Sequence, residues 1–243
     1  MIFTNVHSLP DPVVRALSYD DYDRVGDISV TGLLRPAQVA YLEEQHAADL
    51  TEDVSDRIWQ LFGSVAHGVL YRATDQSAVI AEKRLTMEVE GWTIAGKADI
   101  YDTNTKVITD YKTTSVWSVI FEPDGKAEHV AQLNLYRLLL ESNGYPVEGL
   151  QVINILRDWS KRDSVKRNDY PRIPIHVTPI PLWSREQAEK YLVERVRAHQ
   201  QGRKGHYQDC TDEERWFNAK TGEYTRCAGY CSVSRWCPTL MRE

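Results

Sequence analysis

The chain contains 243 residues, of which 42% are hydrophobic, so it can bury the core of one medium-sized domain with extensions. Its formal net charge of −6 is not that of a strongly basic nucleic-acid-binding protein, although an acidic protein can still contain a basic groove. No apolar run approaches the roughly 20 residues of a membrane span, and no secretory signal is recognisable, so we expect a cytoplasmic protein without a membrane contact.

The predicted elements alternate between helices and strands. We expect residues 1–27 to form an irregular arm, and residues 28–36 to form a short strand or the entry to a helix. The later predictions are helices over 36–48 and 53–73, a strand over 78–90, a hairpin over 93–112, a helix over 126–141, strands over 147–157 and 173–180, and a helix over 185–200. This order predicts an α/β fold with a mixed central sheet flanked by helices. Apolar residues recur every three or four positions over 53–73, so we expect that helix to be packed.

The hairpin contains the most informative residues. If its turn is centred between Asn104 and Thr105, then Asp99 lies opposite Asp110, and both point to the same face as Lys112. Opposed residues in an antiparallel pair have Cβ atoms about 5 Å apart, so the two carboxylates repel each other unless a cation lies between them. A divalent metal ion with oxygen ligands suits this position, and a neighbouring lysine suits phosphate chemistry. The alternative is that these charges only form a solvated face.

Three further polar residues lie at defined places around the hairpin. His67 is in the preceding helix, within GSVAH, whereas Gln132 and Tyr136 stand four residues apart in the following helix, within QLNLY. Each has an ordinary explanation when taken singly, either as a surface residue or as part of a polar helix edge.

As an ordered series (GSVAH, GKAD, DYK and QLNLY), these motifs resemble the RecB-like branch of the PD-(D/E)XK nuclease superfamily over about residues 28–200. Phage-encoded exonucleases and CRISPR-associated RecB-like nucleases are the types that the series resembles in particular. The resemblance implies a restriction-endonuclease-like fold, with a nuclease domain over 28–203 and a cysteine-rich segment over 204–243.

The resemblance also implies roles for the motif residues. The metal ligands for Mg²⁺ or Mn²⁺ would be His67, Asp99, Asp110 and the main-chain carbonyl of Tyr111. The catalytic residues would be Asp99, Asp110 and Lys112, and the substrate-binding residues would be Gln132 and Tyr136.

This chain departs from its relatives at two positions. Many relatives have a glutamate four residues after the motif histidine, where this chain has Tyr71; Glu82 is a candidate substitute. The proline that gives the superfamily its name is replaced by Ala98.

All four cysteines lie in the last 34 residues: Cys210, Cys227, Cys231 and Cys237. Clustered thiols in a reducing compartment favour metal binding over disulfides. We therefore expect a metal-binding tail, with a 4Fe–4S cluster as the principal hypothesis and Zn²⁺ or unligated thiols as alternatives. Some RecB-like nucleases hold such a cluster, but their first cysteine precedes the nuclease motifs and their terminal triplet usually opens with two spacer residues instead of three.

The function expected from these features is metal-dependent hydrolysis of DNA from strand ends, in phage or bacterial recombination, repair or processing. The partners would be DNA and a recombination or DNA-processing protein, and a phage-encoded protein would act in the host cytoplasm. An alternative is a catalytically weak RecB-like module for nucleic-acid binding or partner docking. Residues 157–172 and 195–204 are candidate basic segments, or else ordinary solvated surfaces.

Overall fold

A computed structural model describes residues 2–19, 25–74 and 77–242. The strands are β1 Ile2–Thr4, β2 Ile28–Ser29, β3 Thr51–Asp53, β4 Val79–Ala81, β5 Arg84–Val89, β6 Trp92–Lys97, β7 Ile100–Asp102, β8 Val107–Thr114, β9 Gly149–Leu156, β10 Ile175–Ile180, β11 Phe217–Asn218 and β12 Glu223–Tyr224. The helices are α1 Asp11–Ser18, α2 Val30–Leu33, α3 Ala37–Gln45, α4 Ile58–Ala73, α5 Val116–Phe121, α6 Ala127–Ser142, α7 Lys161–Lys166, α8 Arg185–Gly202, α9 Asp212–Arg215, α10 Thr225–Gly229 and α11 Pro238–Arg242.

Two sheets position the motif residues. The larger sheet has the strand order β10-β9-β8-β7-β4, and the smaller has the order β2-β6-β5. β8 and β9 are parallel, whereas the other neighbours in the larger sheet are antiparallel. The prediction of a mixed sheet flanked by helices is thereby confirmed in outline.

The main core lies between the sheets and α6. Nine residues of α6 are buried, among them Leu133, Leu135 and Leu139, and α6 contacts β5, β6, β8 and β9. Gly96 permits a close approach of α6 to β6, because a Cβ there would lie 2.6 Å from Leu139 Cδ2 and 2.9 Å from Tyr136 Cε1.

The register of the predicted hairpin is correct, but its first strand is interrupted in the structure. Ile100 pairs with Thr109 and Asp102 with Val107, as a turn centred between residues 104 and 105 requires. However, β6 pairs with β5 in the smaller sheet, and only β7 continues into the larger one. The first strand of the predicted hairpin is therefore divided between the two sheets.

Two other expectations need correction. The first 27 residues are not simply irregular: β1 pairs with β3, and α1 packs against α4. Residues 1 and 20–24 of that arm lie outside the described residues. The apolar stripe predicted for residues 53–73 is only partly packed, because α4 has no fully buried residue and Phe62, Val65 and Val69 are all exposed.

The C-terminal segment packs on α3. Val233 is fully buried in a small core with Val39, Leu42 and Leu50, and the ring of Trp236 stacks on His46 at a centroid distance of 4.2 Å. Within the described ranges, no helix is long and apolar enough to cross a bilayer.

Candidate active site and cysteine cluster

The candidate site lies where the two sheets separate. β6 ends at Lys97 and β7 begins at Ile100, so Asp99 is in the short link between them. The pairing of β7 with β8 stops at Thr109. β8 extends five residues further, to Thr114, and its main chain on that side is left for other partners.

His67 and Asp99 bind the main chain of β8 at this open edge. The N–H group of Tyr111 donates a hydrogen bond to Asp99 Oδ2 at 2.8 Å, and the carbonyl oxygen of Tyr111 lies 2.8 Å from His67 Nε2. The other ring nitrogen, His67 Nδ1, lies 3.4 Å from Asp99 Oδ2. α4 and the interstrand link therefore meet at one peptide unit of the central strand.

Glu82 completes a group of three ligand atoms. One donor atom each of His67, Glu82 and Asp99 lies within 4.8 Å of the other two. Glu82 has a φ of 54° in the turn between β4 and β5, and its N–H group donates to the carbonyl oxygen of Asp99 at 3.2 Å. Its carboxylate forms a salt bridge with Lys97. The glutamate that we considered as a substitute for the family's missing acid is therefore placed beside the histidine.

Asp110 and Lys112 form an ion pair next to this group. The ammonium of Lys112 lies 2.9 Å from Asp110 Oδ2 and donates a hydrogen bond to Oδ1 at 3.2 Å. Asp110 is almost fully buried, and its Oδ2 atom has no hydrogen bond of suitable geometry to any described residue, despite the short distance to Lys112. A buried carboxylate oxygen without such a donor is a good acceptor position for a cation.

Burial and mutual repulsion perturb the protonation of these groups. Burial raises the pKa of Asp110 to about 6, and the negative charge of Asp99 adds to this effect, whereas Lys112 opposes it. The pKa of His67 is raised above its ordinary value mainly by the hydrogen bond to Asp99. Both nitrogens of His67 face acceptors, and a neutral ring can donate to only one of them.

These residues fit a hard divalent cation. The donor set consists of carboxylate oxygens, one main-chain carbonyl oxygen and one imidazole, which are ligand types used for Mg²⁺ and Mn²⁺. Burial, with a contribution from the charge of Asp99, raises the pKa of Asp110, and one of its oxygens lacks a well-aligned donor, so a bound cation would stabilise the ionised carboxylate.

The other two motif residues are located in the interior. Gln132 and Tyr136 are both buried, and the Tyr136 ring lies against Gly96, three residues before Asp99. Nothing in their surroundings tests the role in substrate binding, which therefore stays a prediction. His129, one turn before Gln132, lies near enough to Lys112 for that charge to contribute to its low pKa of about 4, for which burial is the main cause.

All four cysteines line one small cavity between α3 and the C-terminal segment. Gln38, which is buried in α3, accepts hydrogen bonds from the N–H group of Cys210 at 3.1 Å and from its thiol at 3.2 Å, and donates to Cys237 Sγ at 3.8 Å. Burial raises the pKa of Cys210 to about 12 and also raises that of Cys231. Residues as distant in the chain as Cys210 and Cys237 therefore line the same cavity.

Two of these residues, Glu82 and Gln38, are only weakly indicated by the sequence. Glu82 has no distinguishing neighbours in the sequence, and Gln38 is one polar residue in an amphipathic helix. A polar residue on an otherwise apolar helix face was the only available signal for Gln38.

Comparisons with known proteins concern the fold and the family of this chain. The crystal structure of SSO0001 is 16% identical, aligns with 94% of this chain and 92% of its own, and superposes with a TM-score of 0.55, which supports the fold alone. A phage-related exonuclease from Haemophilus somnus 129PT is 18% identical over 82% of this chain and 83% of its own, with a TM-score of 0.36. The comparison with curated proteins finds no match. Residues 32–238 match the PD-(D/E)XK nuclease superfamily, and the chain therefore belongs to that superfamily.

Proposed function

We propose that the protein is a metal-dependent DNA exonuclease of the RecB-like branch, and that it hydrolyses phosphodiester bonds during phage or bacterial DNA recombination, repair or processing. The observation that supports this proposal best is the grouping of His67, Glu82 and Asp99, two of which bond the Tyr111 peptide, with the Asp110–Lys112 pair beside them. A module retained only for docking has no need of this complete set of groups. The supported class of reaction is metal-dependent phosphodiester hydrolysis, as the superfamily implies.

The ion would be held by His67, Asp99, Asp110 and the carbonyl oxygen of Tyr111, with Glu82 as a further ligand. When bound, Mg²⁺ or Mn²⁺ supplies a water of lowered pKa and stabilises charge on a phosphoryl oxygen.

The protein's own side chains would orient the attacking water, stabilise charge on the phosphate and position the substrate. Lys112 is held by Asp110 on the same face of β8, so its ammonium can orient the attacking water or offset charge on the scissile phosphate. Gln132 and Tyr136 would place the substrate by hydrogen bonding and stacking.

A nuclease assay tests this proposal directly. End-labelled linear DNA and circular single-stranded DNA are incubated with wild-type protein in Mg²⁺, Mn²⁺ or EDTA. We expect metal-dependent release of short products from the linear DNA, with the circle remaining intact. Asp110→Ala should be inactive, whereas the exposed Asp124→Ala is the matched control and should cleave normally. Full activity of Asp110→Ala would refute the mechanism, and cleavage of the circle would refute the exonuclease assignment.

We also propose that the four cysteines hold a 4Fe–4S cluster, with Zn²⁺ as the alternative. A tetrahedral zinc site has Zn–S bonds of 2.3 Å, so its sulfur atoms lie about 3.8 Å apart. Among the described residues, the cysteines provide no group of three ligand atoms within 4.8 Å of one another.

Metal analysis of freshly purified protein distinguishes these alternatives. A cluster would give a brown protein with broad visible absorbance and bound iron, whereas zinc would leave it colourless. Because metal–thiolate bonds can provide much of the folding energy of a small segment, Cys231→Ser should lower the melting temperature. Protein with neither iron nor zinc, and with an unchanged melting temperature in Cys231→Ser, would contradict a metal centre.

A further inference from the structure

Two pairs of exposed aromatic rings lie near the carboxyl ends of β8 and β9. Trp59 and Phe62 of α4 are 54% and 56% exposed, with ring centroids 5.8 Å apart. Trp117 and Phe121 of α5 are 41% and 71% exposed, with centroids 5.7 Å apart. Large aromatic residues in such positions indicate a binding surface more often than chance exposure does.

An arginine lies over one ring of each pair. The guanidinium of Arg157 is 4.2 Å from the Trp59 ring centroid, and that of Arg167 is 4.8 Å from the Trp117 centroid. We call the four rings and these two arginines the aromatic track. Cation–π contacts of this kind fix the orientation of the indole rings at the surface.

The two halves of the track are joined through one turn. Asp158, next to Arg157, accepts hydrogen bonds from the hydroxyl of Ser115 at 2.6 Å and from the N–H group of Val116 at 2.7 Å. These bonds tie the start of α5 to the end of β9. Trp117 is therefore held close to the same turn as Trp59.

The track continues from the candidate active site along α4. His67 lies at Tyr111, whereas a Cβ at Gly63 would lie 3.7 Å from Thr113 Oγ1, so α4 runs along β8 towards the strand's end. Trp59 is eight residues before His67, which is about 12 Å along the helix axis. That distance corresponds to about three or four nucleotides at the spacing of 3.4 Å per nucleotide in one DNA strand.

The charge near the track suits a polyanion. Residues 157–172 contain six basic and three acidic residues. Asp158 is used in the cap of α5 and Asp169 pairs with Arg167, whereas Lys161, Arg162 and Lys166 are exposed and form no salt bridge within the described ranges. Positive charge beside stacked rings is the arrangement used for single-stranded nucleic acids.

We propose that the aromatic track binds an unpaired nucleic-acid strand, with its bases stacked on Trp59 and Trp117 and its phosphates close to the basic residues of α7. This inference rests on the proposed nuclease function and adds the substrate class: a strand with free bases instead of a closed duplex. Bases in a duplex are already stacked on each other, so they cannot use these rings. A partner protein is the competing occupant, and the basic residues next to the rings favour the nucleic acid.

Fluorescence anisotropy with a labelled oligothymidine tests the proposal. The titration is done in EDTA, so that binding is measured without cleavage. Trp59→Leu and Trp117→Leu keep apolar side chains but remove the stacking ring, and each should weaken binding by roughly 5- to 150-fold. Trp59→Tyr keeps a ring and should retain most of the affinity. Phe217→Leu is the matched control, because Phe217 is 49% exposed and also contacts one other ring, Tyr224.

The salt dependence of the binding constant provides a second, independent test. If Lys161 contacts a phosphate, Lys161→Gln should reduce the slope of log K against log salt by about 0.7, the value for one contact on a single strand. Circular dichroism establishes that each variant is folded. Binding of the strand should also quench the tryptophan fluorescence of the wild-type protein. This measurement requires no substitution.

The outcomes separate this proposal from the nuclease proposal. Unchanged oligothymidine affinity in both leucine variants would overturn the proposal that the track binds an unpaired strand. An equal loss of affinity for a blunt duplex in these variants would also overturn it. So would the absence of any strand binding by the wild type. Failure of the nuclease proposal would instead appear as an absence of metal-dependent cleavage, which the binding titration does not involve.

Discussion

Replacing Asp110 by asparagine should stabilise the protein in the absence of metal. Asp110 is almost fully buried, and its pKa is raised from 3.8 to about 6. Because the folded-state pKa is above the unfolded-state value, the folded protein binds more protons between these two pH values, and its stability falls as the pH rises through them. The difference in pKa corresponds to a penalty of about 3 kcal/mol at full ionisation.

The net gain in the variant should be smaller than this penalty. Lys112 loses its partner in Asp110→Asn, but its side chain is 29% exposed and can be hydrated. We therefore expect a gain of about 1–3 kcal/mol at pH 8 and almost none near pH 4, where Asp110 is protonated and has nearly the shape of asparagine. The variant should also lose most of the additional stability that Mn²⁺ gives to the wild type.

Urea unfolding in EDTA at pH 4, 6 and 8 measures this difference, with Asp124→Asn as an exposed control. The control should follow the wild-type pH profile. An Asp110→Asn variant that is less stable than wild type at pH 8 would refute the reasoning, because Asp110 would then contribute more through its bond to Lys112 than it costs by burial.

Three further predictions concern individual side chains. Lys112→Ala should lower the single-turnover cleavage rate by about 10²–10³-fold, since it removes a charged donor to the reacting phosphate; a rate within threefold of wild type would contradict this role. Gln132→Ala should weaken DNA binding but leave Mn²⁺ affinity near wild type in isothermal titration calorimetry, and lost metal binding would oppose a substrate role. Burial lowers the pKa of His199 to about 4, so the unfolded state binds more protons below pH 6.5, and wild-type stability should fall by up to about 3 kcal/mol as the pH drops to 4. Urea unfolding of His199→Gln should show a smaller acid loss, and an identical loss would exclude His199 as its source.

The register of the central hairpin was predictable because it depends on local sequence. The polar DTNTK segment fixes the turn, and alternation then determines which residues share a face. The pairing of Ile100 with Thr109 follows from this. The register places Asp99, in the link that precedes β7, next to Asp110 of β8, and this placement needed no tertiary information.

The division of the hairpin between two sheets depends on contacts with segments outside the hairpin. β6 belongs to the smaller sheet because it pairs with β5, from Arg84↔Lys97 to Val89↔Trp92. In addition, α6 packs over Gly96. Neither contact has a signal within the hairpin itself. Similarly, spacing predicts that α4 has an apolar face but does not say what covers it, so the exposure of Phe62 could not be anticipated.

The cysteine cluster also depends in part on a contact that the local sequence does not indicate. Spacing places Cys227, Cys231 and Cys237 within one short segment, and their convergence is therefore a local property. The approach of Cys210 depends on Gln38, which lies 172 residues earlier and bonds both Cys210 and Cys237. A side chain that joins two distant segments cannot be identified from its own sequence neighbours.

The separation of the sheets explains how one strand can serve both the metal site and the proposed track. A strand that was paired on both sides throughout would use all its main-chain groups in ladders. Because the pairing of β7 with β8 stops at Thr109, the peptide of Tyr111 is free to bind His67 and Asp99, and α4 can lie along the exposed edge of β8. The same helix that positions His67 then presents Trp59 beyond the end of the strand, next to Arg157. Extending the pairing of β7 would occupy the Tyr111 peptide and displace α4, so the proposed metal site and the proposed track depend on the same interruption in the sheet.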